Sequence, residues 1–139
     1  MARTDTFRQQ HDEILQVVRD ISARLSPAEL AADASKVRSL VSVLAAKLAI
    51  HLKTEDRFLY PQLMAHRDEN IRNLASKYIN EMGDIVHSFD AYLGRWPLAD
   101  TIQKNATEFA GETARLFNVV GKRIEMEDSE LYPLVDKAA

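Results

Sequence analysis

The chain has no cysteine, which excludes a disulfide framework, a thiolate metal site and a cysteine nucleophile. Any metal must therefore be held by imidazole and oxygen ligands. Glycine and proline are scarce, four of each, and neither gathers into a tract that serves as a flexible linker. One domain is expected over residues 1–139, since 46% hydrophobic residues supply a single continuous core. There is no run of about 18 apolar residues to span a bilayer. The N-terminal MARTDTFRQQHDE lacks the apolar centre of a secretory signal. Both absences point to a cytoplasmic protein without a membrane partner. A net charge of -3 gives no broad basic surface and argues against nucleic acid as a partner. No Ser-His-Asp arrangement or Gly-rich phosphate loop suggests another enzyme class.

What is present is helix. Residues with high helix propensity run throughout, and β-branched residues do not alternate with polar ones at period two, so the class is all-α. A first helix is expected from about Asp5 to Leu25, ended at Ser26-Pro27 by a capping residue and a first-turn proline. After a short irregular stretch, a second runs from about Ser35 to Ala65, with its last turns strained at Pro61. A third spans about Asp68 to Trp96, before Pro97, and a fourth about Asn105 to Val135, with Pro133 near its end. Short connections favour an antiparallel up-down-up-down four-helix bundle.

Positions spaced alternately by three and four share a helical face. The first stripe is Phe7, His11, Ile14, Val18, Ile21 and Leu25; the second is Val37, Val41, Leu44, Leu48, His51, Glu55 and Phe58. The third, Ile71, Ala75, Tyr78, Met82, Ile85, Phe89, Tyr92 and Trp96, is apolar along its length. The fourth is Phe109, Thr113, Leu116, Val120, Arg123, Glu127 and Leu131 or Leu134. Five polar residues thus interrupt core faces: His11, His51, Glu55, Arg123 and Glu127. Antiparallel packing brings them together at one end of the bundle.

An internal echo supports a shared site. HLKTEDRFLYPQL from His51 realigns on RIEMEDSELYPLV from Arg123, pairing Glu55, Asp56, Leu59, Tyr60 and Pro61 with Glu127, Asp128, Leu131, Tyr132 and Pro133. A polar residue four positions before a glutamate therefore occurs twice, and such a pair lies on one helical face. ED…LYP also serves as a helix-ending device, with solvated glutamates and packing tyrosines, but an unpaired charge on an apolar stripe is costly to bury.

With RQQHDEI around His11, HLKTEDRFLYP around His51 and Glu55, and RIEMEDSELYP around Glu127, nearly the whole chain resembles the hemerythrin-like, or HHE cation-binding, family. The resemblance implies a four-helix bundle holding a non-haem di-iron centre between histidines and two bridging carboxylates, where oxygen or a related small molecule binds or reacts. His11, His51, Glu55 and Glu127 fall on the expected ligand positions. Two positions depart: Met82, in Glu81-Met82-Gly83-Asp84-Ile85, and Arg123 stand where the family usually offers histidines. By the resemblance these are the second metal's histidines, while the first metal's set is complete.

The resemblance thus implies one metal on His11, His51, Glu55 and Glu127, with Arg123 near the vacated second position. Two carboxylates, two neutral imidazoles and Arg123 sum to -1, and a divalent cation brings the cluster to +1. Two histidines with carboxylates suit Fe(II), Mn(II) or Zn(II), and iron is the family's metal. The alternative is a metal-free network in which Arg123 pairs with Glu55 and Glu127. Met82 reads as a core filler, a thioether being a soft donor. His87 lies five residues further at about 100° per residue, so it faces away unless a π-bulge intervenes. His66 reads as solvated, and Tyr60 and Tyr132 as packing residues with a possible hydrogen bond toward the site. Three functions follow: a protein that binds or senses dioxygen, nitric oxide or iron; an oxidase or peroxidase-type enzyme; or a metal-free bundle acting through its surface.

Overall fold

The computed structural model describes residues 4–138, and no strand occurs among them. Helix α1 spans Asp5–Ser22. Helix α2, Pro27–Phe58, starts eight residues before the expected Ser35, because Ser26 caps it by accepting from the Glu29 N–H at 3.2 Å and Pro27 presets its first turn. The stretch expected to be irregular is therefore helical. Its irregularity is confined to Asp33 (φ -149°, ψ 61°), whose side chain recaps the chain by accepting from the Lys36 N–H at 3.1 Å. The helix ends at Phe58, not Ala65, and resumes as α3, Tyr60–Met64. Pro61 cannot donate into the preceding turn, so the break falls at Leu59.

Asp68 caps α4, Glu69–Arg95, by accepting from the Asn70 N–H at 2.9 Å. A short α5, Ala99–Lys104, occupies the connection to α6, Ala106–Met126. There the expected continuous helix gives way to a π-helical turn, Glu127–Leu131, before α7, Tyr132–Ala138. In a π-turn the donor comes from five residues on, and the Tyr132 N–H bonds the Glu127 carbonyl accordingly. The Asp128 carbonyl would need the N–H of residue 133, which as proline has none. Arg8 supplies the missing donor, its Nη1 reaching the Asp128 carbonyl at 3.2 Å.

Cross-helix contacts fix the levels. Early α1 meets late α2 at His11 and His51, and meets the π-turn that follows α6 at Glu127. Tyr78 of α4 donates to the Met126 carbonyl at 3.1 Å, while Tyr92, near the other end of α4, bonds Thr113, early in α6, at 2.8 Å. α1 therefore runs against α2 and α6, and α4 against α6. One apolar cluster includes Ile14, Ile21, Leu44, Phe89, Tyr92, Trp96, Phe109 and Ile124. A second includes Phe7, Leu59, Tyr60, Leu63, Tyr78, Leu131, Tyr132 and Val135. The polar residues lie between these clusters, so the expectation of a site at one end is corrected to a polar layer capped by apolar side chains on both sides.

Several stripe positions differ: Leu25, Leu48, Met82 and Ile85 are only half-buried. Val17 is buried in place of Val18, which is half-buried. Phe58 is 58% exposed because α2 stops there and the residue overhangs the core. On the fourth stripe Leu131 is buried and Leu134 is not, the π-turn having chosen between them. No helix of the described residues is long and apolar enough to cross a membrane.

Candidate metal centre

His11, His51, Glu55 and Glu127 are each at most 2% exposed. Each imidazole is oriented through its Nδ1. In His11, Nδ1–H donates to Asp128 Oδ1 at 2.8 Å; in His51, Nδ1–H donates to Gln10 Oε1 at 2.7 Å. Neither acceptor has a proton to give in return, so both neutral rings carry a bare lone pair on Nε2. Those two Nε2 atoms face each other at 3.0 Å. Glu55 Oε1 lies 2.8 Å from His51 Nε2, and Glu127 Oε1 lies 3.3 Å from His11 Nε2, yet both oxygens are buried without a hydrogen-bond partner. Buried polar atoms are nearly always paired, and lone pairs turned on one another repel. Donor atoms of His11, His51 and Glu127 lie within 4.8 Å of one another and could hold a cation together; the fourth expected ligand, Glu55, does not fall within that group. The donor set fits the metal.

The outer carboxylate oxygens are held in a crossed pattern. Tyr60, five residues after Glu55, donates to Glu127 Oε2 at 3.3 Å, whereas Tyr132, five residues after Glu127, donates to Glu55 Oε2 at 3.0 Å and lies 3.3 Å from His11 Nε2. The echo in the sequence is thus an exchange: each ED…LYP segment supplies the tyrosine for the other segment's glutamate. Reading these tyrosines mainly as packing residues is corrected, since both are buried and both bond the site. Ligands oriented by such outer hydrogen bonds bind metal more tightly. Tyr60→Phe and Tyr132→Phe are each expected to lower metal affinity about tenfold, measured by competition with a chromogenic chelator.

Electrostatics describe the metal-free form. Burial works against charge on His11, but the hydrogen bonds and charges of Glu127 and Asp128 outweigh it and raise its pKa. Burial and the adjacent His11 push His51 down to about 4. Burial raises Glu55, and burial pushes Glu127 up to about 7 despite the nearby His11. Burial also raises Tyr60 and Tyr132, which remain donors. Metal uptake must therefore expel protons.

Arg123 lies elsewhere than the metal-free network required. Its Nη2 pairs with Glu81, its guanidinium carbon lies 4.7 Å from the centroid of the Tyr78 ring, and it makes no hydrogen bond to Glu55 or Glu127. Glu81, which no stripe contains, is the partner that sequence reasoning missed, and no signal in one sequence singles it out. Met82 is half-buried and, with Arg123, His11, His51 and Glu127, lines an apolar cavity of about 20 Å³, room for one water-sized group. His87 is exposed and faces away; the one π-turn among the described residues lies in the 127–131 segment instead. His66 is half-buried, and its Nδ1 accepts from the Asp68 N–H at 3.0 Å.

A helical bundle with imidazoles and carboxylates converging on one buried point belongs to the class of core cation-binding bundles. Within that class, the family model for the hemerythrin HHE cation binding domain matches residues 2–135, and the chain belongs to this family. No curated protein and no solved structure matched it.

Proposed function

We propose that the protein holds one divalent cation, iron foremost with manganese or zinc suited to the same donors, on His11, His51, Glu55 and Glu127, and that it binds or senses a small ligand such as dioxygen or nitric oxide. The observation that carries this reading is the pair of bare Nε2 atoms 3.0 Å apart beside two orphaned carboxylate oxygens. The family resemblance supports iron. When bound, the metal supplies a Lewis-acidic, redox-capable centre with room for an exogenous ligand. Asp128 and Gln10 hold the imidazole tautomers, Tyr60 and Tyr132 hold the carboxylates, and the apolar walls of the cavity exclude bulk water. We read the chain as one cytoplasmic domain.

Metal analysis of protein purified without chelators, with anomalous scattering at the iron, manganese and zinc edges, tests the proposal. One equivalent per chain at these four residues is expected. Two equivalents overturn the single-ion reading, and protein that binds no metal even after anaerobic Fe(II) addition overturns metal binding altogether. Multiple turnovers of oxygen or peroxide by the Fe(II) protein with a reductant would replace the binding or sensing role with an oxidase or peroxidase-type enzyme.

A further inference from the structure

Arg8 precedes His11 by three residues on α1, so the two side chains share a helical face. Its guanidinium is engaged at all three nitrogens. Nε donates to the Thr4 hydroxyl at 3.1 Å, and Nη1 donates to the Asp128 carbonyl at 3.2 Å and lies 4.0 Å from Asp128 Oδ1. Nη2 lies 3.8 Å from Asp136 Oδ2. Thr4 occupies the N-cap of α1 without capping it; its buried hydroxyl donates instead to the Asp136 carboxylate at 2.9 Å. The guanidinium carbon lies 5.3 Å from the centroid of the Tyr132 ring. One side chain of α1 is thereby tied to the π-turn and to α7. On that turn the neighbours Glu127 and Asp128 address opposite nitrogens of one ring, Glu127 Oε1 beside His11 Nε2 and Asp128 Oδ1 on Nδ1. Because Pro133 leaves the Asp128 carbonyl without a donor from its own helix, the backbone that carries the Asp128 carboxylate is braced from α1.

Resting on the single-cation reading, we propose that Arg8 is a positioning residue for the metal. By bracing the Asp128 backbone and pairing with its carboxylate, Arg8 keeps Oδ1 on the His11 Nδ1–H and so keeps the Nε2 lone pair aimed at the ion. Outer partners of this kind orient a ligating imidazole and raise its basicity. The fixed fork of arginine suits the task, because the single point donor of lysine cannot serve Thr4, the Asp128 carbonyl and Asp136 together. His51 provides a contrast within the same site. Its Nδ1–H is held by Gln10, two residues on from Arg8 and therefore on a different face of α1.

The test loads the full chain with Co(II), measures affinity by competition with a chromogenic chelator, and follows the hyperfine-shifted imidazole N–H signals by proton NMR. Arg8→Met, which keeps a stem against the Tyr132 ring, is expected to weaken Co(II) about tenfold with helicity unchanged. It is also expected to speed solvent exchange of the His11 N–H and to leave the His51 N–H as it was. In an Asp128→Ala background the same substitution is expected to weaken Co(II) less than about twofold, because residues that act through one another do not add. Wild-type affinity in Arg8→Met, a tenfold loss in both backgrounds, or equal acceleration of both N–H signals overturns the positioning role while the metal reading stands. Should Arg8→Met lose helicity, Arg8→Lys carries the same comparison, with an expected loss of about threefold in the wild-type background and none in Asp128→Ala. A wild-type chain that takes up no Co(II) overturns both.

Discussion

Metal-free Glu127→Gln protein is expected to melt above metal-free wild type at pH 8, by about 6–10 °C. Burial pushes the Glu127 carboxyl from 4.5 up to about 7. Between those values the folded state binds more protons than the unfolded chain, so stability falls as pH rises through the window. At pH 8 the window has been crossed and the full cost, ~3 kcal/mol, is present. Glutamine keeps an oxygen for the Tyr60 hydroxyl and removes the charge. Addition of Zn(II) is expected to close the gap, because an ion at a thousandfold excess over its dissociation constant stabilises wild type by about 4 kcal/mol and the variant, short of a carboxylate donor, gains little. Differential scanning fluorimetry with chelator and then with metal checks both halves. An equal or lower melting temperature for the metal-free variant at pH 8 would sink the idea. The acid side gives a second reading: His51, lowered from 6.5 to about 4, costs stability as pH falls through that window. In wild type this slope opposes those of the raised groups Glu127, Glu55 and His11 where the windows overlap, and in the variant the Glu127 share of that opposition is gone.

The double variant Met82→His, Arg123→His is expected to carry two metal ions per chain against the single ion proposed for wild type. Both residues line the cavity that His11, His51 and Glu127 line, and both stand where the family resemblance places histidines for a second metal. Replacing Arg123 removes a buried positive charge that repels a second cation and supplies an imidazole four residues before Glu127. The cost of losing the Glu81 pair is small, about 0–1 kcal/mol, because Glu81 is partly exposed. Each single variant, with one added ligand, is expected to remain at one ion. Elemental analysis after anaerobic Fe(II) loading, with helicity checked by circular dichroism, reads the result. A folded double variant that still holds one ion would show that something other than these two residues limits occupancy.

The burial of His11, His51, Glu55 and Glu127 was legible because each breaks an apolar stripe, and a helix's period converts such a break directly into a position facing the core. The same period says nothing of depth or of what lies across the gap. Phe58 fits the stripe and is exposed, since the chain turns at Leu59. Gln10 and Asp128, which orient the imidazoles, lie on flanks that look merely solvated in sequence; only the relative rotation of packed helices brings them to the rings. Arg123 was visible as an intruder, yet its pairing with Glu81 depends on how α4 and α6 are set against each other. The echo was visible as similarity and not as exchange, because nothing local reveals which glutamate a tyrosine reaches. The π-turn too has no mark in single-residue propensities: it arises where proline removes a donor and Arg8 is at hand to replace it.

Both long helices depart from regular geometry at equivalent points, α2 breaking at Leu59 and α6 widening from Glu127 to Leu131. In each, proline has removed a rung just beyond the carboxylate. The regular hydrogen-bonding pattern of both helices is therefore interrupted just beyond the carboxylates. An ion gripping α1, α2 and the widened turn spans both interruptions at once. On the proposed function, loss of the ion and loosening of the scaffold would be one event, with the cation a clasp across two built-in seams.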